Sequence, residues 1–327
     1  MRNTAVSIIA VSCFAALASS AVYAVAPSVD GGEDELAPTG KGWGHRVEKG
    51  NGDNGQARAG RTKSGGANGI SYHGGPVMLP NSKGVPPTVY YIWYGTWGSP
   101  ATDILNSLAQ NIGGSSYFNI NTTYFNGSSQ HVVKAVGFGG STTDSYSHGT
   151  ALSDSGVQSV VASAINSGRL PFDSNGVYFV LTSPDVNETS GFCTQYCGWH
   201  THATISRTDI KFAFVGNPNR CPSACEMQDV GPNGIADATT GLDSGADGMA
   251  SIISHELEEA VTDPDLNAWY DARGQENADK CAWTFGTTSK APNGATYNVT
   301  LGSGTYSRFL IQRNWVNASG GYCAQSY

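Results

Sequence analysis

Six cysteines lie between positions 193 and 323 of this 327-residue chain, and a seventh, Cys13, sits inside an apolar leader. That distribution constrains the fold more than any other feature. The leader opens with Arg2, runs through a mostly apolar stretch from Ala5 to Leu17, and offers small-x-Ala cleavage sites at Val22-Tyr23-Ala24 and Ala24-Val25-Ala26. It reads as a secretory signal peptide over residues 1–26, because its apolar run falls short of the ~20 residues that a membrane span needs. No other stretch is long enough to cross a bilayer, so no membrane span is expected. Loss of the leader takes Cys13 with it. The even set that remains, Cys193, Cys197, Cys221, Cys225, Cys281 and Cys323, predicts disulfides in an oxidising compartment. Proximity in sequence favours Cys193–Cys197, Cys221–Cys225 and Cys281–Cys323. The competing reading of the two Cys-x3-Cys pairs is a zinc site.

Charge narrows the partners. Acids outnumber bases 26 to 18, for a net charge of −8, which argues against a nucleic-acid partner, since that needs a basic face to displace counterions. Aromatics at 10% and hydrophobics at 39% exclude a wholly disordered chain. Residues 27–70 differ from the rest: they are dense in glycine and poor in apolar side chains. Such a segment buries too little surface to offset its ordering entropy and is expected to be flexible. A globular domain is expected over residues 71–327. Five N-x-S/T sequons, at Asn121, Asn126, Asn187, Asn298 and Asn317, read as surface loops if the chain is glycosylated.

Within that domain, strands and helices alternate. Val89-Tyr90-Tyr91-Ile92-Trp93-Tyr94 is a buried strand by its β-branched and aromatic content. Ser99-Pro100 predicts a helix start, followed by Ile104, Leu105 and Leu108 at helical spacing. Val132–Phe138 reads as a second strand, Ser153–Ser167 as a helix, Val177–Leu181 and Lys211–Val215 as further strands. The expectation is a mixed α/β domain, a single zincin-like unit with a mixed sheet, stabilised by disulfides.

The chemistry concentrates between Asp247 and Pro264, where Met249, Ile252, Ile253, Leu257, Ala260 and Val261 form an apolar stripe of helical period. His255 and Glu259 are four residues apart and so share one face, and Asp263 continues the line. The pattern His-Glu-x-x-Glu is a variant of the zincin His-Glu-x-x-His, in which two ligands hold a metal and the intervening Glu acts on water. Carboxylate oxygen is an accepted zinc ligand, but its hardness also admits calcium or another divalent cation. Glu276 and Asp279, after a turn near Pro264, are candidates to complete the set, with Cys281 anchoring their loop. His200 and His202, spaced to point the same way on a strand, are additional candidates. Trp199, Trp269 and Trp283 either line a groove or pack in the core.

Several motifs occur in a characteristic order: Tyr90-Tyr91-Ile-Trp-Tyr-Gly-Thr-Trp97, Phe192-Cys193-x-x-x-Cys197-Gly-Trp-His200, Asn217-Pro-x-x-Cys221-Pro-x-x-Cys225, Gly245-x-Asp-Gly-Met-x-Ser-Ile-Ile-x-His255-Glu-Leu-x-Glu259, Thr262-Asp-Pro, Asn267-Ala-Trp-Tyr and Glu276-Asn-Ala-Asp-Lys-Cys281-Ala-Trp. Over residues 71–327 the chain resembles the EXORDIUM / phosphate-induced protein family. The resemblance implies a secreted protein of the cell wall or extracellular space, with members associated with growth and cell expansion. It attaches no firm biochemical activity. The leading expectation is therefore a metal-dependent, peptidase-like hydrolase: His255 and Glu259 bind a divalent cation, zinc first, with Glu276 or Asp279 as a further ligand, and Glu256 is the general base. The alternative is a non-catalytic extracellular growth or signalling factor that binds cell-wall polysaccharide or a receptor.

Overall fold

The structure is a computed structural model that describes residues 37–41, 69–234 and 245–327. The signal peptide expected over residues 1–26 lies outside the described residues. So does most of the glycine-rich stretch 27–70, of which residues 37–41 are seen packed against the folded body.

The aromatic, β-branched run forms β1 (Thr88–Tyr94), buried along all but its first residue. A strand covered on both faces suits a parallel sheet, and β1 pairs in parallel on both sides, with β2 (Gly137–Asp144) and with β3 (Gly176–Thr182). Two further strands, β4 (Gly198–Ile205) and β5 (Thr208–Val215), complete the sheet in the order β2-β1-β3-β5-β4. β5 is parallel to β3, and β4 runs antiparallel to β5 along the edge. The mixed α/β expectation holds at this level.

Helices α1 (Ala101–Asn111) and α2 (Asp154–Asn166) connect the first three strands. The apolar positions Ile104, Leu105 and Leu108 face inward as their spacing predicts, although Pro100, rather than Ser99, takes the cap position of α1. Ser153 caps α2, its Oγ accepting from the Gly156 amide at 3.2 Å. The β1–β2 and β2–β3 crossovers step across the sheet in opposite senses, so right-handed connections put α1 and α2 on opposite faces. Helix α3 (Gly245–Thr262) packs against α1, β4 and β5. Among the described residues no helix is long and apolar enough to cross a membrane.

Several details differ from the sequence-based expectation or were not foreseen by it. The second strand begins at Gly137, beyond most of the run Val132–Phe138; Val132 and Val136 are buried but lie before the paired segment. β2 is an edge strand rich in Gly, Ser and Thr, so pairing to β1 rather than intrinsic propensity defines it. The β4–β5 hairpin turns through Ser206 and Arg207, with φ of 49° and 68°, a left-handed pair more often announced by Asn-Gly. All 18 residues of α3 are buried, not only the apolar stripe. Asn121 is fully buried and is no surface sequon.

The cystines also correct the proximity rule. They are Cys193–Cys221, Cys197–Cys225 and Cys281–Cys323, so only the last agrees, and the zinc reading of the Cys-x3-Cys pairs falls with the others. Cys221 and Cys225 bracket the helical turn Pro222–Cys225, where residues four apart point the same way rather than at each other. Both therefore reach across to the segment 193–197, with Cα separations of 5.8 and 5.6 Å. Peptide mapping without reduction should recover 193–221 and 197–225 linkages and no 193–197 peptide. Replacing one of these cystines by two alanines should cost about 3 kcal/mol in denaturant unfolding.

Candidate functional site

Helix α3 brings His255, Glu256, Glu258 and Glu259 into the interior, each at most 1% exposed. The chain then turns at Asp263, whose Oδ1 accepts from the amides of Asn267 and Ala268 at 2.6 Å each. That turn returns the segment 276–279 to the helix. The Asp279 amide donates to Glu259 Oε1 at 3.2 Å, and Asn277 Nδ2 donates to the Glu258 carbonyl at 3.2 Å.

Two donor sets result. His255 Nε2 lies 3.0 Å from Glu259 Oε1 and 3.3 Å from Asp279 Oδ1. His200 Nε2 lies 3.2 Å from both oxygens of Glu276 and 3.7 Å from Glu259 Oε2. Within each set the candidate ligand atoms fall inside 4.8 Å of one another. Glu259 belongs to both, one oxygen turned to each histidine. The loop acids Glu276 and Asp279 thus both return to the helix, and His200 joins them from the edge strand.

The remaining candidates go elsewhere. Asp263 is committed to its turn. His202 points to Asp209 at 2.7 Å and Asp265 at 3.8 Å, where Lys211 pairs with both acids and already supplies a cation. Trp199 and Trp269 are core residues, 2% and 4% exposed. Gln312 is a site residue that no motif announced. Its amide nitrogen donates to the Ala278 carbonyl at 2.9 Å and lies 2.9 Å from His255 Nδ1, so one side of the imidazole is braced while Nε2 faces the carboxylates. Asn314 likewise donates to Glu258 at 2.6 Å. Both follow the helix by some fifty residues, with no spacing signal to connect them.

Glu256 stands apart from the donors. Among the described residues neither of its carboxylate oxygens has a hydrogen-bond partner. It faces β4 at Gly198, where an added Cβ would lie 2.6 Å from Ile252 and 2.9 Å from Glu256 Oε1. Glycine there lets the helix approach the strand.

Burial governs the electrostatics. It raises Glu256 and Glu276 well above the ordinary carboxyl range, and neighbouring carboxylates add to the effect. Burial and Asp279 push Glu259 up to about 7, against the pull of His255. Burial, with the charge of His255 and His202, pushes His200 down to about 3. For His255 burial opposes the charge, but Glu259 and Asp279 outweigh it and the imidazole is raised. The donor loop has its own anchor: Lys280 Nζ meets Asp271 Oδ2 at 2.5 Å, both side chains under a tenth exposed. Burial resists ionisation of Asp271, yet Lys280 and the amides of Gln275 and Arg273 hold it below its usual value.

Two consequences are measurable. Gly198→Ala should push α3 from β4 and cost about 1–3 kcal/mol in urea unfolding. Asp271→Asn should cost about 3 kcal/mol at pH 7, the lower end of the range for breaking a buried ion pair. A depressed carboxyl contributes stability above its unfolded pKa, near 3.9, and loses it as pH falls through the lower folded value. The difference between wild type and Asp271→Asn should therefore shrink as unfolding is measured progressively below pH 4.

Comparison with known proteins places this sequence in a family. The sequence model for the phosphate-induced protein 1 conserved region matches residues 70–324. Protein EXORDIUM-like 3 of Arabidopsis thaliana is 33% identical over 282 residues, covering 75% of this chain and 80% of the relative. Protein EXORDIUM-like 5 of the same plant is 32% identical over 278 residues, covering 75% of each. No solved structure matches the chain. With the ordered motifs, the cystines and the buried helix all inside the matched span, the chain belongs to the phosphate-induced protein 1 family, to which it is joined by EXORDIUM-like relatives.

Proposed function

We propose that this chain is a secreted, metal-dependent hydrolase with a zincin-like site, acting on extracellular polypeptide. One observation carries the reading. Glu256, Glu259, Glu276 and Asp279 are buried with His200 and His255, and among the described residues no Lys or Arg forms an ion pair with any of them. As cationic partners the four carboxylates face only the imidazoles of His200 and His255, and buried charge left without a counter-charge costs several kcal/mol per group. Protonation neutralises it, and so does a divalent cation.

Geometry supports the cation. Two ligands each about 2.1 Å from a tetrahedral zinc are about 3.4 Å apart. The separations from His255 Nε2 to Glu259 and Asp279, 3.0 and 3.3 Å, approach that edge. His255, Glu259 and Asp279 are the proposed ligands, and His200 with Glu276 holds the opposite oxygen of Glu259 in place. Imidazole in the set favours zinc over calcium, which takes oxygen donors.

A cation bound there would polarise a substrate carbonyl and a water molecule. Glu256 is the base: it takes a proton from the water as the water oxygen bonds to the carbonyl carbon. The proton then passes to the leaving nitrogen as the C–N bond breaks. An unpartnered carboxylate with a raised pKa, held beside the edge strand, suits both transfers. The three cystines and the family membership support an extracellular address.

Elemental analysis of purified protein should find one zinc per chain, and chelation should lower the melting temperature. His255→Ala and Glu259→Ala should lose the metal. Glu256→Gln should keep it while turnover of a peptide substrate falls at least about 100-fold. A metal-free chain whose Glu256→Gln variant behaves as wild type would instead be the non-catalytic factor that binds polysaccharide or a receptor.

A further inference from the structure

Among the described residues, the strand that carries His200 has no strand paired to its outer edge, and residues 37–41 cover part of that edge. β4 pairs with β5 on one side only. On the other, the His200 amide donates to the Gly40 carbonyl at 3.0 Å. The approach is close: with φ of +69° at Gly40, a Cβ there would sit 1.9 Å from the His200 carbonyl oxygen. The next residue, Lys41, reaches into a prepared cation subsite. Its ammonium donates to Asp154 Oδ2 at 2.7 Å and Ser190 Oγ at 2.8 Å, and lies 5.2 and 5.6 Å from the ring centroids of Tyr196 and Trp199. Ser190 is itself fixed by Asp154 at 2.7 Å and by the buried Glu188 at 3.0 Å. Burial resists ionisation of Asp154, but Lys41 and Ser190 overcome it and hold the carboxyl below its usual range. A polar cavity of about 650 Å³, lined in part by Glu188, Ser190, Phe192 and Arg220, adjoins the subsite.

We infer that the β4 edge and the Asp154-Ser190-Tyr196-Trp199 subsite form a binding site for an extended polypeptide bearing a basic side chain, and that residues 39–41 occupy it as a built-in competitor. Edge-strand addition supplies main-chain affinity and the subsite supplies selection. His200 joins the two regions: its amide holds the peptide and its imidazole faces Glu276 and Glu259. The inference names the substrate class of the hydrolase reading, and it rests on that reading only for the bond cleavage that comes after docking.

The test therefore measures binding, in full-length protein kept metal-free with chelator. A fluorescent peptide of residues 37–42, Ala-Pro-Thr-Gly-Lys-Gly, is titrated by anisotropy. Gly40→Val/Lys41→Ala should displace the internal segment and bind the peptide at least tenfold more tightly than wild type. A peptide with Ala in place of Lys should lose at least tenfold, as should Asp154→Asn added to the double variant. In the otherwise native chain, Asp154→Asn should expose Lys41 and speed tryptic cleavage after it at least tenfold, a readout that does not depend on the double variant. Equal binding by wild type and double variant, equal binding of the Lys and Ala peptides, or an unchanged cleavage rate overturns the inference. Each of these results is independent of whether a metal or a turnover is found at Glu256.

Discussion

Carboxylates that cannot reach water dominate this molecule. Along α3 the acids at 256, 258 and 259 are all buried, and the loop adds Glu276 and Asp279 to the same interior. Their mutual repulsion and desolvation would oppose folding unless surrounding groups accept them. Much of the C-terminal third answers that need. Gln312 braces His255, Asn314 donates to Glu258, and the Asp279 amide donates to Glu259. Polar groups arranged around retained charge are expensive in stability, and active sites are among the places where proteins keep such arrangements.

The helix itself was legible because its signals are local. A periodic apolar set, a His and a Glu four apart and a terminating Pro264 all fall within twenty residues. β1, β3 and the two crossover helices were legible for the same reason. What could not be read was set by contacts between distant segments. The partners of Cys193 and Cys197 depend on how the turn at Pro222 is presented, not on the shorter spacing. β2 is a strand because β1 offers it a parallel edge. The hairpin at Ser206-Arg207 bends through residues whose identity gives no notice of it. Gln312 acquires its role only once the chain has returned across α3.

His200 and His202 show how far pattern reasoning reaches. Two residues apart on β4, they share a face by periodicity. The strand carries the first into the interior beside Glu276 and the second toward the rim, where Lys211 and two aspartates hold it. The distinction lies in the depth of the sheet edge relative to α3. That depth is set at Gly198, where the absence of a side chain admits the helix.

The tie between Cys281 and Cys323 has a bearing on biogenesis. Asp279 lies two residues before one end of this cystine, while Gln312 and Asn314 lie inside the 42-residue span that it closes. During translation the helix leaves the ribosome long before these residues do. Until they arrive its acids have no amide to meet, and the half-made interior is open to solvent. The bond to Cys323 can close only once nearly the whole chain has been made, and closing it fixes the loop of Asp279 and the segment of Gln312 and Asn314 against the helix.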